Sequence, residues 1–151
     1  MAGTFTNLLY HIVFSTKHRQ PLITPTLQEE LYKYMGGIIR GEGGTLLEIG
    51  GMPDHIHLLT RFKADKSVSH MLQLIKANSS KWVNERPEQS SRFAWQTGYA
   101  AFSVSESQVG VVRDYVRRQE EHHRRRSFQE ELLVLLRKHE IDYDERYLWD
   151  R

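Results

Sequence analysis

Two short apolar runs, LLYHIVFS from Leu8 to Ser15 and HIHLLTRF from His55 to Phe62, constrain this chain more than any other feature. The first is rich in β-branched and aromatic residues and ends at a Lys, Arg and Pro boundary, which favours a strand over a helix. The second pairs in sequence with Thr45 to Ile49, and a turn through Gly50, Gly51, Pro53 and Asp54 joins them into a hairpin. Helical periods fill the intervals. After Pro25, Leu27, Leu31, Tyr34, Met35, Ile38 and Ile39 recur at helical spacing, closed by Gly41, Gly43 and Gly44. Between Ser67, a plausible cap, and Asn84, the residues Val68, Met71, Leu72, Ile75 and Trp82 share one face. Gly98 to Val104 reads as a fourth strand. Helices are expected from about 107 to 123 and from Phe128 to His139, with the basic run Arg124-Arg125-Arg126 between them.

Strand, helix, strand, strand, helix, strand and then helices is the order of an α+β, ferredoxin-like split βαβ fold. This predicts an antiparallel sheet with helices on one face and extra helices at the carboxyl end. The length suits a single domain over 1–151, with a carboxyl-terminal helix and tail at 127–151.

Composition narrows the function. The chain has no cysteine, which removes disulfide scaffolds, Cys-based zinc sites and thiol catalysis. Lys and Arg total 21 against 19 Asp and Glu, so a nucleic-acid surface has to be a local patch. No apolar run approaches a membrane span, and the amino terminus lacks the basic segment of a signal peptide, so a cytoplasmic protein is expected.

Three features could carry chemistry. In PDHIHLL, His55 and His57 share one face of a strand, since side chains alternate. Two imidazoles so placed can grip a divalent ion, although an isolated pair of this kind is more often ordinary. In RDYVRRQEEHH, Tyr115 and Gln119 lie one helical turn apart, and His122 and His123 continue roughly along that face. Arg113, Arg117, Arg118, Arg124, Arg125 and Arg126 crowd the same stretch. They read equally as a solvated helix face or as a phosphate-gripping patch.

Taken in order, LLYHIVFSTKHRQPLI, GGMPDHIHLL, IKANSSKWVNE, FAWQTGYAAFSVSESQ and YVRRQEEHHRRRSFQEE resemble the single-tyrosine HUH transposases of the insertion-sequence 200/605 type, over most of the chain. The His, hydrophobic, His of that name is His55-Ile56-His57. The resemblance implies that His55, His57 and Gln119 ligate a metal and that Tyr115 is the nucleophile. It implies homodimers with joined sheets, in which the tyrosine helix of one subunit completes the histidine site of the other. It also implies a single-stranded DNA substrate with hairpins at the ends of a mobile element.

Elementary chemistry agrees with that assignment. A site with open positions suits Mg²⁺ or Mn²⁺, which take phosphate oxygens. A tyrosine attacking in line would leave a 5′-phosphotyrosine and a free 3′-OH, and the covalent link would let strands rejoin without ATP. Lys76, Lys81, Arg117, Arg118 and Arg124 are candidate DNA contacts, and Trp82, Trp95, Tyr99 and Phe102 could stack on bases or pack internally. One alternative is a domesticated or inactive relative that only binds structured single-stranded DNA or RNA hairpins. A metallohydrolase without a covalent intermediate is the other.

Overall fold

In a computed structural model, which describes residues 1–149, the chain forms an α+β fold. Four strands, β1 (Leu8–Ser15), β2 (Thr45–Met52), β3 (His55–Phe62) and β4 (Ala100–Val104), make one antiparallel sheet in the order β2-β3-β1-β4. With α1 (Pro25–Gly41) and α2 (Val68–Asn84) this is the ferredoxin-like arrangement. Four further helices follow: α3 (Val109–Arg117), α4 (Gln119–His122), α5 (Phe128–Lys138) and α6 (Glu145–Leu148). The last two residues of the expected 127–151 tail lie outside the described residues. Among the described residues no helix is long and apolar enough to cross a membrane.

The helices begin where local chemistry allows. Thr24 caps α1 by accepting from the Leu27 amide at 3.3 Å, and Pro25 opens its first turn. Ser67 caps α2 from the His70 amide, and Ser127 with Glu130 forms a full capping box on α5.

Strand alternation divides the sheet into two chemically distinct faces. Ile12, Phe14, Ile56 and Leu58 are fully buried and pack with Leu31, Met35 and Ile39 of α1 and Met71, Leu72 and Ile75 of α2. Each such side chain contributes about 1.5–3 kcal/mol by leaving water. The opposite face carries His11, His55 and His57, and α5 covers part of it through Phe128, Leu132, Leu135 and Leu136 against Val13 and Phe102.

Two expectations are corrected. Gly50 and Gly51 belong to β2 rather than to the turn, which is only Pro53-Asp54. A Cβ on Gly50 would lie 2.0 Å from the Val116 carbonyl oxygen, so the glycine is where the α3 backbone settles onto the sheet. The helix expected over about 107–123 is broken: a 3₁₀ turn at Glu106–Gln108 leads into α3, and Arg118, at φ −99° and ψ 34°, separates α3 from α4. The break re-aims the chain so that Gln119 is buried rather than exposed on a continuous helix.

Candidate metal and nucleophile site

His55 and His57 project from β3 to the face opposite Ile56 and are completely buried. Each of three histidines has its Nδ1 held from behind. Asp54 Oδ1 lies 2.7 Å from Nδ1 of His55, His11 Nε2 lies 2.8 Å from Nδ1 of His57, and the Arg126 carbonyl lies 2.7 Å from Nδ1 of His123. A carboxylate and a carbonyl can only accept, so Nδ1 of His55 and of His123 carries the hydrogen. In the neutral ring Nε2 is then a bare lone pair, the form a metal requires.

The three Nε2 atoms converge on one carboxylate oxygen. Glu131 Oε1, from α5, lies 3.0 Å from His57, 3.1 Å from His123 and 3.4 Å from His55. Gln119 Oε1 joins them at 3.3 Å from His55 and 3.1 Å from His123, while its amide nitrogen donates back to the Tyr115 carbonyl at 3.1 Å. One ligand atom each from His55, His57, His123 and Glu131 falls within 4.8 Å of the others. Lone pairs facing lone pairs in a buried site require a cation or a shared proton between them. The residues therefore fit a divalent metal, and three imidazoles with a carboxylate could hold one.

The protonation landscape follows from the same contacts. Burial, then the neighbouring His57, pushes His11 down to about 3, so it is a neutral second-layer partner. Burial also lowers His57. For His55 burial acts downward too, but Asp54 and Glu131 outweigh it and raise the group to about 8. Burial opposes ionisation of Glu131, yet the His123, His55 and His57 rings around it, which donate to it when Nε2 carries a proton, hold it far below the usual carboxylate range.

Tyr115 sits at the edge of this cluster. Its hydroxyl donates to Glu131 Oε2, its ring stacks on His122 at 4.5 Å, and its edge meets His57 at 5.7 Å. Burial, followed by the Glu131 charge, raises its pKa well above the ordinary tyrosine value. A cavity of about 420 Å³ opens beside it, with Arg125, Arg126 and His122 on its walls.

The sequence-predicted set Tyr115, His55, His57 and Gln119 thus comes together within one chain. The other candidates are more scattered. Lys76 and Lys81 lie on α2, which covers the opposite face of the sheet. Lys76 Nζ donates to the Gln96 and Gly98 carbonyls at 2.7 and 2.6 Å. Arg117 pairs with Glu48 at 3.2 Å, whereas Arg118 and Arg124 are exposed near the break and the basic run. Trp95 and Phe102 are core residues, Trp82 stacks on Tyr34 at 4.8 Å, and Tyr99 is partly exposed. Neither Glu131 nor a role for His123 is among the expectations drawn from sequence. The available signal was a charge on the wrong face: Phe128, Leu132, Leu135 and Leu136 form the buried stripe of α5, and Glu131 lies within it.

Comparison with known proteins shows what this assembly resembles. The family described as "Transposase IS200 like" matches residues 4–119. The transposase for insertion sequence element IS200 of Salmonella typhimurium (strain LT2) is 26% identical over 79% of this chain and 81% of its own length. The ISDra2 transposase TnpA of Deinococcus radiodurans is 21% identical over 78% of this chain and 87% of its own. A solved structure of a REP-associated tyrosine transposase bound to a REP hairpin covers 77% of this chain and 70% of its own, at TM-score 0.57 and 13% identity. That last likeness is one of fold.

Proposed function

The chain belongs to the IS200-like transposase family, and from that premise we propose that it cleaves and rejoins single-stranded DNA at the ends of an insertion sequence through a 5′-phosphotyrosine. The observation that carries this reading is the placement of the Tyr115 hydroxyl beside the convergent His55, His57, Gln119, His123 and Glu131 cluster. A nucleophile and a cation site within reach of one phosphodiester are what strand transfer needs.

His55, His57 and Gln119 would hold the ion, with His123 and Glu131 as further ligands. When bound, a divalent metal would polarise the phosphate and offset charge on the departing 3′-oxygen. The imidazole-rich donor set favours Mn²⁺ over Mg²⁺. Every other step falls to the chain itself. Tyr115 Oη attacks phosphorus in line, the bond to the 3′-oxygen breaks, and the phenolic proton ends by way of solvent on that departing oxygen, leaving a free 3′-OH, while the ionised Glu131 orients the phenol through the hydrogen bond it accepts at Oε2. His122 stacked on the ring holds the phenol in its plane. Arg125 and Arg126 on the adjoining cavity would receive neighbouring phosphates, and Arg118 and Arg124 lie exposed close by in the chain. Reversal by a second 3′-OH would rejoin strands.

The partner is a hairpin-bearing single strand, a reading supported by the hairpin bound in the REP-associated relative. A homodimer with joined sheets also belongs to this proposal; within the single chain Tyr115 stands against its own His57 and Glu131, so sites shared between subunits would need the tyrosine helix to change partners. The deciding experiment mixes protein, Mn²⁺ or Mg²⁺ and single strands carrying the DNA ends that flank the gene. A metal-dependent covalent adduct on denaturing gels, absent with duplex DNA and with Tyr115→Phe, is expected. Turnover without an adduct would replace this reading with hydrolysis.

A further inference from the structure

A second cavity meets Tyr115 from another side, with a volume of about 420 Å³. That falls within the range of roughly 300–1,000 Å³ usual for small-ligand sites. One wall runs along α3 from its N-cap: Val111 and Val112 lie three and four residues beyond Gln108, and Tyr115 lies four and three beyond them. Val111 is 62% exposed there, an apolar side chain left in water beside a nucleophile. The facing walls supply different chemistry. The end of β4 brings the hydroxyls of Ser103 and Ser105, and α5 brings Leu135 and the Lys138 ammonium. The α5 wall lies beyond residues 4–119, the part of the chain the family matches.

Apolar flanks with an amide, hydroxyls, the His11 and His139 imidazoles and the Lys138 ammonium suit a flat heterocycle with hydrogen-bonding edges. A phosphate is better served by the other cavity, where Arg125 and Arg126 stand with His122 and His123 beside Glu121 and Glu131. Both cavities border Tyr115, so a strand crossing the hydroxyl can leave a base on one side and its phosphates on the other. We propose that this trough binds and reads one of the two nucleosides joined by the scissile phosphodiester, which makes Gln108 and Lys138 specificity-determining residues. Hydroxyl, amide and ammonium donors favour a base edge rich in acceptors, guanine before the others. This proposal rests on the strand-cleavage reading above.

The test uses the full chain with Mn²⁺ and a hairpin-bearing single strand whose flank is randomised. Covalently captured strands are sequenced. The expected result is a base bias of about tenfold at one position adjoining the cleaved bond, the size of one good base contact. In Gln108→Ala and Lys138→Ala that bias should fall to about twofold, with biases at other positions unchanged. A metal-free arm measures binding to the Tyr115→Phe protein by fluorescence anisotropy. An abasic nucleotide at the biased position should weaken binding about tenfold. Absence of bias at both flanking positions, or a bias that neither variant reduces, overturns the proposal. Absence of any adduct overturns the cleavage reading instead. The anisotropy arm, run with abasic sites at every flank position in turn, then still decides whether a base is bound.

Discussion

The Tyr115 hydroxyl donates to Glu131 Oε2, while Oε1 of the same carboxylate lies 3.0 Å from His57 Nε2. One side chain from α5 therefore links Tyr115 to the buried histidines of β3. The coupling runs from helix to strand through a single buried group, and most expectations for this site follow from it.

Tyr115→Phe should abolish the covalent adduct while leaving hairpin affinity within about twofold. The ring keeps its stack on His122, so only one hydrogen bond is lost, at a stability cost of about 1–3 kcal/mol. Gel-shift titrations beside adduct gels check both halves. A persisting adduct would move the nucleophile elsewhere.

Glu131→Gln keeps the shape of the side chain and removes its charge. Mn²⁺ affinity, measured by calorimetry, should fall at least about tenfold, and His123→Ala should act in the same direction. Unchanged affinity in both variants would confine the ion to His55, His57 and Gln119.

Asp54→Asn leaves every ligand in place but replaces the carboxylate that orients His55 with a neutral amide, a weaker acceptor that can also turn a donor towards the ring. A loss of about 10–100-fold in metal affinity with an unaltered fold is expected. Circular dichroism and metal titration separate the two effects.

Metal-free protein should be most stable near pH 6.5. His55, raised from 6.5 to about 8 by Asp54 and Glu131 against its burial, adds stability that is complete below pH 6.5 and lost as pH climbs through 8. That loss is on the order of 2 kcal/mol. His11, lowered to about 3 by burial and His57, works oppositely: its contribution is complete above 6.5 and drains as pH falls towards 3. Gln119 and His123 face His55 from α4 and the turn after it. Thermal melts in chelator from pH 5 to 9 should show the maximum, and Mn²⁺ should remove the alkaline decline, since it replaces the proton at His55 Nε2. A monotonic profile would contradict this account.

Gly50→Ala places a methyl 2.0 Å from the Val116 carbonyl oxygen, so α3 must lift from β2. Destabilisation of about 1–3 kcal/mol is expected, with adduct formation falling further because Tyr115 rides on that helix. Melting temperature and adduct rate together report it.

The architecture was legible in the sequence because it depends on local periodicities. The runs at 8–15 and 55–62, the stripe from Leu27 to Ile39 and the one from Val68 to Val83 each specify their element from neighbours alone. Strand alternation likewise placed His55 and His57 on a common face, and helical spacing placed Tyr115 near Gln119. Gly50 misled for a physical reason: a glycine in a turn and a glycine under a crossing helix look identical in sequence, and only the approach of Val116 distinguishes them.

Glu131 shows where local reasoning ends. Its chain neighbours reveal a carboxylate on an apolar helix face, but not what neutralises it. Its partners stand 74 and 76 positions away in His57 and His55, and 16 in Tyr115. The elements, their order and the two faces of the sheet follow from short-range sterics and burial, which neighbouring residues already carry. That α5 folds across the histidine face and delivers a carboxylate to Tyr115 emerges in three dimensions alone, because a buried charge chooses its partners through space and not along the chain.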